Sequence, residues 1–317
     1  MTKLDGKAGL EGGTVMKRAW LVTNEFLNTQ KYSELNMWLV KAAEKYNIDL
    51  LVKTNAELLV DLGGNHIIQN LIEVEKPEFV LFWDKDIRLA SFLESLSVKV
   101  INSSKAIEIC DNKAMTHIAL KQKNIKMPKT ILAPMTYENI GFTNYDFVER
   151  MKKQLSYPIV VKECFGSFGQ QVYLVHDDVE LMRCIEKIGT KPFLFQEYIK
   201  SSFARDIRLN VVGDQVVATM YRYSDTGDFR ANISNGGKMK PFKPTKQQIQ
   251  LAVDCVKALG LDFAGVDLLF DENEEPIVCE VNSNAHFKNI YDCTGVNVAE
   301  CILGYICNKL NLVNESA

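Results

Sequence analysis

Four stretches of the sequence set charged and polar residues at intervals suited to binding or catalysis. In IVVKECFGSFGQQV, Lys162 ends an apolar run and is followed by Gly166, Ser167 and Gly169. One fixed positive charge beside a backbone loop whose glycines let main-chain N–H groups approach is a fitting surface for phosphate oxygens. Taken alone it also reads as a solvent-facing strand lysine before an ordinary hairpin turn. The second place is FAGVDLLF with VCEVNSN, which holds Asp267, Glu280 and Asn282. Paired as a hairpin, the two runs put Asp267 and Glu280 on opposed strands. Glu280 and Asn282, two apart, then share one face of their strand. Three oxygen donors in phase suit Mg²⁺ held against nucleotide phosphates. The carboxylates interrupt apolar runs, where unpaired charge is costly. A buried carboxylate satisfied by a neighbouring arginine is the alternative.

The third place is arginine-rich: Arg205, Asp206 and Arg208 in ARDIRLNVVGD, Arg222 in MYRY, and Arg230, Ala231 and Asn232 in GDFRAN. Such guanidinium groups neutralise a transferring phosphoryl group or orient a carboxylate. A lace of surface ion pairs is the competing reading. The fourth is FLFQEYIK, where Gln196, Glu197, Tyr198 and Ile199 end a strand and could offer backbone groups to the edge of an adenine ring. A core strand running into a polar link explains it equally well. His286, in NSNAHF, reads either as a substrate contact or as a structural histidine.

These residues need elements to hold them. Apolar runs at Ala19–Thr23, Asp49–Lys53, Glu78–Trp83 and Val98–Ile101, with helical spacing over Ser33–Tyr46, predict a small parallel α/β unit. One helix is expected over Ala106–Lys123. Beyond Tyr157 the texture turns to hairpins, with strands at Phe193–Tyr198, Asp206–Val212 and Gln215–Arg222, the last two joined by Gly213-Asp214. Thr245–Leu259 reads as a helix with Thr245 as cap and Gly260 as terminator. Phe263–Phe270 and Pro276–Val281 form a hairpin around DENEE, and Val296–Leu310 closes the chain as a helix. The expected organisation is a flexible tail over 1–15, an α/β domain over 16–103, a central lobe over 104–192 and a C-terminal lobe over 193–317.

Composition excludes several classes. With 317 residues, 37 basic and 40 acidic side chains and 47% hydrophobic content, the chain is nearly neutral and rich enough to build sizeable cores. A basic nucleic-acid module and a disordered chain are both disfavoured, and no apolar run approaches a bilayer span. The eight cysteines are scattered without a CxxC pair, so reduced thiols in a cytoplasmic setting are expected rather than staples. The four histidines lack zinc-ligand spacing. No GxGxxG follows the first strand, no P-loop is present and no serine sits in a nucleophile elbow.

The ordered series QEYIK, RDIRLNVVGDQVVA, GDFRANISNGG, AGVDLLF and EVNSN resembles the ATP-grasp superfamily, and within it the RimK-like carboxylate–amine ligases, from about Ile101 to Lys309. The resemblance implies an ATP-grasp fold of α+β lobes behind an N-terminal parallel α/β domain. It also implies an enzyme that uses ATP and Mg²⁺ or Mn²⁺ to join a carboxylate to an amine through an acyl phosphate. Lys113 in CDNKAMTH and Lys162 match the family's two nucleotide lysines, and Gly166–Gly169 its phosphate lid. Glu197, Tyr198 and Ile199 match the adenine hinge, and Asp206 a nucleotide-contacting acid. Arg230, Ala231 and Asn232 match the segment facing phosphate and acyl substrate. Arg222 matches a further active-site arginine, and Asp267, Glu280 and Asn282 the metal ligands. Lys162, Arg222 and Arg230 are thereby expected to be catalytic. The partners implied are a small-molecule carboxylate and amine, with a homo-oligomer (dimer or tetramer) and neither nucleic acid nor membrane. One departure stands out. Where glutamate-adding members continue EVN with a Ser-Pro-Gly turn, this chain reads EVNSNAHF. The Asn284-Ala285-His286 loop leaves the substrate open between glutamate, another amino acid and a peptide or protein. A nucleotide-binding protein without catalysis is the remaining alternative.

Overall fold

In the computed structural model the described residues are 16–63, 67–166, 169–231, 233 and 236–312. The expected tail over 1–15, along with Ser167 and Asn232, lies outside them. Among the described residues no helix is long and apolar enough to cross a membrane.

Three sheets are built in succession. The first holds β1 (Lys17–Thr23), β2 (Ile48–Thr54), β3 (Val80–Phe82) and β4 (Val100–Ile101) in the order β2-β1-β3-β4, all parallel. Helices α1 (Gln30–Glu44), α2 (Ile67–Glu75) and α3 (Ile87–Ser95) form the crossovers, as parallel neighbours require. The second sheet combines β5 (Thr130–Leu132), β6 (Ile159–Glu163), β7 (Val172–Val175) and β8 (Phe193–Glu197) in the antiparallel order β5-β8-β6-β7. Helices α6 (Asp146–Lys152) and α7 (Asp178–Ile188) cover one face, burying Val148, Leu181 and Ile185 against Ile159, Val161 and Phe195.

The third sheet runs β11-β10-β9-β12-β13 and is antiparallel throughout: β9 (Arg205–Val212), β10 (Gln215–Tyr223), β11 (Lys238–Pro241), β12 (Phe263–Phe270) and β13 (Pro276–Asn282). Helix α8 (Lys246–Leu259) packs Ala252, Val253 and Val256 on one face. Its ends are as expected: Thr245 and Gln248 form a reciprocal capping box, and Gly260 takes the left-handed conformation at φ +68°. Helices α9 (Lys288–Thr294) and α10 (Val298–Lys309) cover the other face and meet α1.

Two expectations need revision. The helix expected over Ala106–Lys123 is two helices, α4 (Ser104–Asp111) and α5 (Lys113–Gln122). Asn112 breaks it, because its side-chain oxygen accepts from the N–H groups of Ala114 and Met115 and so starts a new helix. The buried Ala106, Cys110 and Leu120 of the two helices join the core of α8 and the third sheet, while His117 of α5 reaches the second sheet at Gln196. The strand Phe193–Glu197, expected to open the C-terminal lobe, hydrogen-bonds between β5 and β6 and completes the second sheet. Its apolar run suits either neighbour, so sequence alone does not assign it.

The first and third sheets share one core, in which Leu21, Leu39 and Trp83 lie with Phe263, Phe287 and Ile302. Asn102 ties the two lobes together. Its side-chain nitrogen donates to the carbonyls of Phe263 and Ser283, and its oxygen accepts from the N–H groups of Asp262 and Phe263.

Candidate active site

A cavity of about 100 Å³ lies between the second and third sheets and opens beside a larger cleft of about 610 Å³. Strand periodicity delivers the side chains. On β6, Val160 and Lys162 both line the cavity, as do Asp267 and Leu269 on β12. Lys162 is only 7% exposed, so it is no surface lysine; among the described residues it has no carboxylate partner. Lys113, at the first position of α5, donates from Nζ to the Gly166 carbonyl at 3.2 Å and lies 3.5 Å from Glu280 Oε1. The Asn112 cap therefore sets a lysine at the mouth of the glycine loop.

The arginines divide. Arg205 pairs with Glu274 at the surface, as the ion-pair reading expected. Arg222 is 4% exposed and donates from Nε and Nη2 to the Asp206 carboxylate at 2.6 and 2.8 Å, with Nη2 also 3.0 Å from Asp267. Arg208 makes a bidentate pair with Asp267 at 2.6 and 2.6 Å. Register explains the network: Asp206 faces Arg222 across β9 and β10, and Arg208 faces Asp267 across β9 and β12. Burial raises the Asp206 carboxyl above its ordinary value against the pull of Arg222. Burial also pushes Asp267 upward, but Arg208 and Arg222 outweigh it and hold that carboxyl low. Burial opposes the charge of Arg222 too; Asp206 and Asp267 together overcome it and raise its pKa. Arg230 is braced by Asp228 and donates from Nη1 to the Gly169 carbonyl at 2.5 Å, joining its own loop to the glycine loop.

Of the residues singled out from sequence, Lys113, Lys162, Gly169, Asp206, Arg222, Arg230, Ala231, Asp267 and Glu280 line the cavity together with the Gln196–Ile199 edge. Gly166 and Asn282 line the adjoining cleft. Glu197 is exposed, and its Oε2 accepts from the Lys129 N–H, which secures the edge from outside. Sequence reading missed Cys279. The register shifts between Asp267 and Leu268, so Asp267 faces Glu280 and Leu268 faces Val278. Cys279 is the extra residue of that bulge, and it lines the cavity beside Glu280. Sequence reading also passed over Val160 and Leu269, which the two-residue period of Lys162 and Asp267 would have found.

Among the described residues no three His, Cys, Asp or Glu side chains gather as a metal cluster. The expected set is two carboxylates and one amide. It fits a hard cation in kind, since Mg²⁺ is commonly held by one or two carboxylates with phosphate oxygens. Arginines make three contacts to Asp267, two of them on Oδ2, so a lone pair remains on Oδ1. The Asn282 side-chain nitrogen is buried without a partner among the described residues.

The larger cleft reaches the first lobe through Lys31, Tyr32, Asp84 and Lys85, and the third through Arg208, Asn284 and His286. His286 Nε2 lies 3.2 Å from the Lys31 carbonyl, and its ring meets Tyr32 edge-on. Burial lowers its pKa to about 4, so the ring is neutral at pH 7.

A family model described as the RimK-like ATP-grasp domain matches residues 110–306. The chain is 37% identical to a probable alpha-L-glutamate ligase 1 of Shewanella sp. (strain MR-4) over 227 residues, 70% of this chain and 71% of the relative. It is 33% identical over 310 residues to the beta-citrylglutamate synthase B of Danio rerio, covering 92% of this chain and 74% of that one. Among solved structures, a RimK domain ATP-grasp protein from Sphaerobacter thermophilus superposes with a TM-score of 0.67 at 18% identity. The match covers 91% of this chain and 98% of that one, a likeness of fold. The chain belongs to the RimK-like ATP-grasp family and is an ATP-grasp ligase.

Proposed function

We propose that the cavity takes ATP and that the adjoining cleft takes a small anionic carboxylate and an amine, which the enzyme joins as an amide through an acyl phosphate. The observation that carries this reading is one cavity lined by Lys113, Lys162, Arg222, Arg230, Asp267 and Glu280 together with the Gln196–Ile199 edge. A cation-rich end beside an apolar edge has the polarity of a nucleotide.

In this reading adenine lies along Gln196–Ile199 between Val160 and Leu269, with the phosphates toward Lys113, Lys162 and the Gly166–Gly169 loop. A substrate carboxylate oxygen attacks the γ-phosphorus, and the bond to ADP breaks. The amine nitrogen then attacks the acyl carbon, loses a proton, and inorganic phosphate leaves with the electron pair. Lys162 and Arg230 offset charge as the phosphoryl group transfers, and Arg222 keeps the Asp206–Asp267 network aligned. Catalysis of this kind is positioning and electrostatics, with no covalent residue required. Asp267, Glu280 and Asn282 would hold Mg²⁺ or Mn²⁺, which supplies phosphate charge neutralisation when bound.

The cavity alone is smaller than the ~300–1,000 Å³ of common ligand pockets, but it adjoins the cleft and shares Lys113, Arg222 and Glu280 with it, so a nucleotide would extend from one into the other. The cleft is lined by five basic and three acidic side chains, which supports an anionic substrate. The names of the two relatives, a glutamate ligase and a citrylglutamate synthase, support glutamate or a polycarboxylate as one partner. Family resemblance also supports a homo-oligomer, which light scattering tests. The function is tested by incubating the enzyme with ATP, Mg²⁺ and paired carboxylates and amines, citrate, L-glutamate and short peptides included, with products read by mass. With an ¹⁸O-labelled carboxylate, label should pass into inorganic phosphate and ADP should accumulate. AMP formation or unlabelled phosphate would contradict the acyl phosphate route.

A further inference from the structure

The apolar edge of the cavity has a buried support that the proposed chemistry does not use. Gln196 is 2% exposed, lines the cavity, and donates from Nε2 to two acceptors, His117 Nε2 at 3.3 Å and Thr130 Oγ1 at 2.9 Å. Each acceptor is fixed by a bond of its own. The Thr130 hydroxyl donates to the Pro128 carbonyl at 2.9 Å, so its oxygen offers only lone pairs to Gln196. The His117 ring is buried between α5 and the second sheet, with Nδ1 3.0 Å from the Met127 sulfur. A proton on Nδ1 leaves Nε2 as the acceptor. Turning the Gln196 amide over would set its oxygen against two acceptors. With both amide hydrogens committed, Oε1 is the polar atom left without a partner among the described residues.

We infer that His117 and Thr130 are positioning residues that lock Gln196 with its carbonyl oxygen toward the bound base, and that this lock selects a base carrying an exocyclic amine. This inference rests on the nucleotide reading of the cavity. A purine whose six-position is an amine donates to Oε1. One whose six-position is a carbonyl sets oxygen against oxygen, and the locked amide cannot rotate to relieve it. Discrimination of this kind is strong because a buried polar pair is left unsatisfied. Neither support touches the base. The sequence hides the arrangement because residues 117, 130 and 196 come from three separate elements and β8 lies unexpectedly in the second sheet.

ADP and IDP differ at the six-position and in the ring proton that accompanies it, so their affinity ratio reads the lock. The test is calorimetric titration of each, with Mg²⁺, into the full chain and into Thr130→Val, His117→Met and His117→Gln. Wild type is expected to favour ADP by about tenfold or more. Thr130→Val and His117→Met free the amide to turn, and the ratio should fall severalfold, mainly through tighter IDP binding. His117→Gln restores an acceptor and should restore the ratio. A merely structural role would weaken both ligands together and leave the ratio unchanged, which overturns the inference. Thr130→Val keeps the shape of its residue and gives the answer if the His117 variants do not fold. A wild type that binds ADP and IDP equally also overturns it, while one that binds neither overturns the nucleotide reading first.

Discussion

Lys162 sits where a positive charge costs the fold and serves the ligand. It is buried on a strand between Val160 and the glycine loop, with no carboxylate partner among the described residues. Replacing it with Met should leave the melting temperature equal or higher, since an apolar chain suits a buried strand position. The same change should remove ADP release during turnover. Arg222 behaves differently, because Asp206 and Asp267 both depend on it. Arg222→Leu strands buried carboxylate charge and should lower stability by about 3–5 kcal/mol in urea denaturation. Adding Asp206→Leu should recover much of that loss. His117 gives a pH signature. Burial first, then Lys162 and Lys113, lowers its pKa from 6.5 to about 3. The unfolded chain therefore takes up a proton that the folded chain refuses. Stability is fully present above pH 6.5 and is lost as pH falls toward 3, by about 1.4 kcal/mol at one pH unit below 6.5. Melting curves from pH 7.5 to 5.5 should show this fall, reduced in His117→Gln.

The hairpin of β12 and β13 explains how far sequence could see. Two apolar runs around a charged turn put Asp267 and Glu280 on opposed strands, as they are, but a regular register continued from the Phe270–Pro276 pair would set Asp267 against Cys279 instead. The bulge at Cys279 does not follow from composition, because no glycine or proline marks it; backbone geometry alone puts Cys279 and Glu280 on the same cavity. Asp206–Arg222 and Arg208–Asp267 were equally hidden, since they need the register of three strands at once. Local signals were fully legible where one element decides its own end, as at Thr245 and Gly260. Thr245→Ala should therefore cost about 1 kcal/mol without altering nucleotide affinity. Gly265 belongs to the opposite case. A Cβ there would lie 2.5 Å from that of Ala285 and 3.6 Å from the Arg208 side chain. Gly265→Ala should displace the Asn284-Ala285-His286 loop and cost about 1–3 kcal/mol, raising KM for the substrate in the cleft more than KM for ATP.

At the scale of the molecule, the first and third sheets form one body through Trp83, Phe263 and the four bonds of Asn102. The second sheet has its own core and faces that body across the cavity. Three groups of strands were legible from sequence, but their division was not, because β8 and the paired helices α4 and α5 each join the lobe opposite to the one that chain order suggests. That exchange is what brings the Gln196–Ile199 edge, Lys113 and the Asp267–Glu280 pair to one place. The central claim is that this place binds a nucleotide through Lys162. It is tested most directly by calorimetric titration of ADP with Mg²⁺ into wild type and Lys162→Met, with melting temperatures measured alongside. The account predicts saturable binding to wild type and affinity about a hundredfold weaker in a variant that melts no lower, the loss expected when a charge-assisted phosphate contact is removed. Equal affinity in the two proteins, or no binding to wild type, would contradict it.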